Sequence, residues 1–109
     1  MIIAFPILGF LASISFFAKA DVEKLRITYE DGTVEVHESG SRQGVAFDLR
    51  TLKNPEKIVR IEHNHFDSVA PSRSDRWVLD YLRARGFQGA FIIWLTKAQK
   101  KKSGRGGWE

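Results

Sequence analysis

From Leu25 onward the chain alternates. Leu25, Ile27 and Tyr29 are apolar, Arg26, Thr28 and Glu30 are polar, and after Asp31-Gly32 the pattern resumes with Val34 and Val36 between Thr33, Glu35 and His37. Period-two alternation marks a strand with one face buried, and Asp-Gly suits a two-residue type I′ turn whose central residues take positive φ. The predicted hairpin pairs Tyr29 with Val34 and Ile27 with Val36. Arg26 then lies opposite His37 on the solvent side. A loop rich in Ser and Gly follows, Ser39 to Gly44, and the alternation of Val45, Phe47 and Leu49 with Ala46, Asp48 and Arg50 predicts a third strand. Asn54-Pro55 signals a turn, and a fourth strand runs from Lys57 to about Phe66, with Val59 and Ile61 pointing one way.

The periodicity changes after Pro71. Ser72 to Asp75 is a helix entrance, Trp77, Val78, Tyr81 and Leu82 form an apolar face, and Gly86 suits the stop. The predicted helix has about 11 residues, with Trp77 read as core. Ala90 to Leu95 is an uninterrupted apolar run, as expected of a central strand covered on both faces. The fold class is therefore α+β, a β-rich domain of about five strands with one helix before the last strand. An all-β sandwich with a helical insertion is the alternative.

The first 20 residues have a different character. Met1 to Ala18 carries no charge, Leu8 to Phe17 has the length of a signal-peptide apolar core, and Ala18-Lys19-Ala20 supplies the small-x-small pattern of a cleavage site. Cleavage would leave Asp21 first. No basic side chain precedes the apolar run, so an uncleaved single-span anchor is the rival. The chain is thus read as an export segment or anchor (1–20), a globular domain (21–97) and a tail (98–109).

Composition bears on compartment and partners. The sequence holds no cysteine, which excludes disulfides, thiolate metal sites and thiol catalysis. The formal charge of +4 is not a property of the domain. Residues 21 to 96 hold 11 Lys and Arg against 12 Asp and Glu, whereas Lys97, Lys100, Lys101, Lys102 and Arg105 face Glu109 alone. With no basic stripe on the body, nucleic acid is not the expected partner. The tail favours anionic lipid only if the first 20 residues stay in a membrane.

The succession TYEDGTVEV, GVAFDL and KIVRIEH, spanning Leu25 to His63, resembles a pattern in small exported bacterial β-sandwich domains of uncharacterised function. The resemblance implies export and a β-sandwich, and implies no activity. The helical insertion from Ser72 to Arg85 departs from it.

One constellation carries candidate chemistry. His63, His65 and Asp67 lie two apart, so an extended strand projects all three from one face, a spacing that suits zinc or another transition metal. His63 and His65 share the parity of Ile61 and should face the core, while the predicted hairpin puts His37 on the solvent side and out of reach. The contiguous letters His63-Asn64-His65 are not the nuclease signature of that name, whose residues are far apart in sequence. No GxSxG elbow occurs, and Ser72 and Ser74 read as helix caps. The expected function is a small periplasmic or secreted non-enzymatic binding or accessory protein for an unidentified protein or small molecule. Two alternatives are a membrane-anchored interaction protein with a basic tail, in the inner membrane, and a small metal-dependent hydrolase using His63 and His65.

Overall fold

Strands β1 (Lys24–Tyr29), β2 (Val34–Glu38), β3 (Ile58–His65) and β4 (Ala90–Leu95) form one mixed sheet in the order β2-β1-β3-β4. The computed structural model describes residues 13–97, so the basic tail, residues 1–12 and the readings placed on them lie outside it. Helix α1 is described over residues 13–18, and α2 spans Arg73–Arg83 between β3 and β4. The α+β class holds, with four strands in place of five and a single sheet among the described residues.

The missing strand is Val45–Leu49. Its alternation is real, since Val45, Phe47 and Leu49 are half-buried and their neighbours exposed. Local side-chain bonds claim the backbone instead. Asp48 Oδ1 accepts from Arg50 N at 3.0 Å, Asp48 O accepts from Thr51 Oγ1 at 2.7 Å, and Leu49–Thr51 turns as a 3₁₀ helix.

The hairpin forms one residue out of the expected register. Thr28 pairs with Val34, Arg26 with Val36 and Leu25 with His37. The cause is the turn: Tyr29 N donates to Thr33 O, leaving Glu30, Asp31 and Gly32 as a three-residue loop. Gly32 takes φ +92°, and Asp31 Oδ1 accepts from the Thr33 amide and hydroxyl. A one-residue slip sends each β2 side chain to the other face. Val34 and Val36, expected inside, are each 45% exposed, and His37 joins the face of Leu25 and Ile27 with its ring 4.0 Å from that of Phe47.

β4 pairs in parallel with β3, Ile61 opposite Phe91 and His63 opposite Ile93. Its apolar run reads as a central strand covered on both faces, but β4 is an edge strand whose four middle residues are half-buried and whose ends are exposed. Close approach is built in at Gly89, where a Cβ would lie 2.3 Å from Val59 O.

α2 packs on the face carrying Ile27, Ile61 and Phe91. Ile27, Leu52, Ile58, Ile61, Leu82 and Phe87 are the buried core, with Val78, Leu79 and Tyr81 packed against it. Ser72 and Asp75 form a reciprocal capping box, and the helix ends on the bonds Gly86 N to Arg83 O and Phe87 N to Leu82 O. Length and both ends match expectation. The buried stripe does not include Trp77, which is 60% exposed and stacked on Tyr81.

α1 covers the opposite face. Phe17 is buried and stacks on Trp94 at 6.2 Å, Ser13 Oγ accepts from Arg26, and Thr96 Oγ1 donates to Phe17 O. Asn64, fully buried, accepts from Lys24 N and donates to Val22 O and Thr96 Oγ1. Glu62 is buried here too, accepting from Arg60 Nε and Trp94 Nε1, both at 3.1 Å. Residues 13–20, read as the end of an export segment, thus pack against the domain. No helix of the described residues is long and apolar enough to cross a membrane.

Candidate metal centre

β3 delivers His63 and His65 to the α2 face of the sheet, two residues apart on one strand as their parity predicts. Both are buried, and their rings meet edge to face at 4.9 Å between centroids. Two carboxylates close on them. Glu23, one residue before β1, brings Oε1 to 3.0 Å from His63 Nε2. Asp75, in the first turn of α2, brings Oδ2 to 3.0 Å from His65 Nε2 and Oδ1 to 3.8 Å from His63 Nε2.

The remaining ring nitrogens fix the tautomers. His63 Nδ1 lies 2.9 Å from Lys24 O and His65 Nδ1 3.0 Å from Ser68 O. Carbonyl oxygens only accept, so each Nδ1 carries a proton. A neutral imidazole then aims its Nε2 lone pair at a carboxylate, acceptor against acceptor. That arrangement is stable only with a proton between each pair, on the ring or on the carboxyl, or with a metal ion shared among them. A backbone carbonyl holding one ring nitrogen while the other is offered outward is how metal-ligating histidines are ordinarily oriented.

Ligand atoms of Glu23, His63 and His65 lie within 4.8 Å of one another, and all three residues are buried. Tetrahedral zinc with ligands at about 2.0–2.2 Å sets them roughly 3.5 Å apart, so binding would close the widest gap by about 1 Å while Glu23 Oε1 and His63 Nε2, now 3.0 Å apart, move slightly apart. Asp75 stands beside this triad, held by the Ser72 amide at 2.9 Å. Two neutral imidazoles and two carboxylates match a divalent cation in charge. Burial raises the pKa of Glu23 above the usual carboxylate range, against the opposing pull of His63 and His65.

Asp67, expected as the third ligand, is exposed, and its Oδ1 accepts from Ser68 N at 2.8 Å. The strand ends at His65, so the alternation that aligned the three residues does not reach it. Glu23, not Asp67, stands beside the two histidines. His37 lies on the same face as His63, but Leu25 of β1 stands between them, paired to both. Glu23 has no sequence signal of its own; Asp75 has one, as the acidic partner of Ser72 in a capping box.

Asp75 also faces outward into a cleft of about 400 Å³ between α2 and β4, lined further by Val69, Pro71, Arg76, Leu79, Phe91 and Ile93. No family model matches this chain, and no match was found among curated proteins or solved structures.

Proposed function

We propose that this protein is a small metal-binding module in which His63 Nε2, His65 Nε2 and a Glu23 carboxylate oxygen hold a divalent transition metal, with Asp75 as the fourth group. The observation that carries this reading is the commitment of both Nδ1 atoms to backbone carbonyls while both Nε2 atoms meet carboxylates. Imidazole nitrogen with carboxylate oxygen suits zinc, nickel or copper over magnesium or calcium. Cleavage after Ala20 retains Glu23, so an exported binding module and this site are compatible.

The test is metal content and cobalt(II) absorption of the full chain. One metal per chain with a tetrahedral cobalt spectrum is expected, lost in His63→Ala and His65→Ala, weakened in Glu23→Gln and unchanged in Asp67→Asn. Absence of stoichiometric metal would leave the cluster as a protonated ion-pair network and end the proposal.

A second reading, a metal-dependent hydrolase using His63 and His65, is favoured by one observation. Asp75 reaches both imidazoles and also lines the cleft, where a general base for a metal-bound water would stand. Zinc-dependent hydrolysis of 4-nitrophenyl acetate, abolished in Asp75→Asn with metal retained, supports it; unchanged hydrolysis in that variant removes it.

A further inference from the structure

The cleft between α2 and β4 combines an apolar wall with two opposite charges. Leu79 from the helix, Phe91 and Ile93 from the strand, and Val69 and Pro71 from the preceding loop supply the wall. The volume of about 400 Å³ falls in the range of small-molecule sites and holds roughly a dozen non-hydrogen atoms. Asp75 is engaged by His65 and the Ser72 amide. Arg76 is not engaged: it is exposed, and among the described residues its guanidinium has no hydrogen-bond or ion-pair partner.

We propose that this cleft binds a small monocarboxylate with an aromatic or short aliphatic body, its apolar part on Leu79, Phe91 and Ile93 and its carboxylate on Arg76. The charge argues for the sign of the ligand. A guanidinium is a forked donor matched to carboxylate, and beside an apolar wall its bond to an anion is stronger than at an open surface. A cationic ligand would have to displace the histidines from Asp75 and meet Arg76 as well.

Phenylacetate and its neutral analogue 2-phenylethanol distinguish the possibilities when titrated into the full chain and followed by methyl and aromatic chemical shifts. Phenylacetate should give saturable shifts at Leu79, Phe91 and Ile93 and bind at least about 10-fold tighter than the alcohol. That preference should vanish in Arg76→Gln, an exposed substitution that leaves the core intact. Equal affinity for the two probes, or shifts elsewhere only, overturns the carboxylate site.

Discussion

His65 Nε2 lies 3.0 Å from the Asp75 carboxylate that also closes the capping box of α2, so one side chain joins the centre of the sheet to the first turn of the helix. Asp75→Ala strips the Ser72 amide of its acceptor and leaves His65 without its counter-charge. It should lower the unfolding free energy by about 2 kcal/mol in urea titrations of metal-free protein. Asp75→Asn keeps an acceptor for Ser72 and should lose about half as much.

The raised pKa of Glu23 gives a pH signature. A carboxyl lifted by burial adds stability in its protonated form, below the ordinary carboxylate range, and that stability is lost as pH rises through the folded value. Thermal melts of metal-free protein should therefore show Glu23→Gln gaining on the parent between pH 4 and pH 8. Stoichiometric zinc should reverse the order at pH 8, because only the parent has the third ligand.

Tyr29 donates its phenol proton to Glu35 Oε1 at 2.6 Å, and burial with that bond raises its pKa above the usual tyrosine range. Its contribution is complete below the ordinary value near 10 and falls as pH rises toward the folded one. Tyr29→Phe should remove a late step from the phenolate absorbance titration and flatten the loss of stability in strong base.

Gly89 and Gly44 make a matched pair. A Cβ at Gly89 would meet Val59 O at 2.3 Å, main chain that cannot swing aside, whereas one at Gly44 meets nothing within 4 Å. Gly89→Ala should cost about 3 kcal/mol or more by prying β4 from β3, and Gly44→Ala should stay within about 0.5 kcal/mol of the parent.

The slipped hairpin predicts that Val36→Thr is nearly neutral, within about 0.5 kcal/mol, although the alternation alone places it in the core. Ile27→Ala, at the buried centre of β1, should cost about 3 kcal/mol in the same denaturant titration.

Local chemistry explains what the sequence made legible. The α2 entrance at Ser72, its Gly86 stop and the shared face of His63 and His65 depend on spacings of a few residues, and each is read from them. The hairpin was legible as a hairpin, but its register turned on whether Gly32 closes a two- or three-residue loop, a difference that side-chain bonds from Asp31 decide. Val45 to Leu49 shows that alternation reports burial and not pairing. Trp77 shows that apolar spacing does not choose between two adjacent helix stripes. Glu23 was invisible because only the β1–β3 register brings it to His63, and no short-range pattern records a tertiary neighbour.

The segment from Ala20 to Lys24 is held at every residue: Ala20 N to Phe17 O, Asp21 O from Arg42, Val22 O from Asn64, Glu23 N to Ser41 O and Lys24 N to Asn64. A peptidase reads its substrate as an extended strand with free backbone, and the folded chain offers none beyond Ala20. Any processing there must outrun the closing of β1 onto β3. Were the chain cut after Ala20, folding and cleavage would compete in time, and a variant that folds more slowly would be cut more completely.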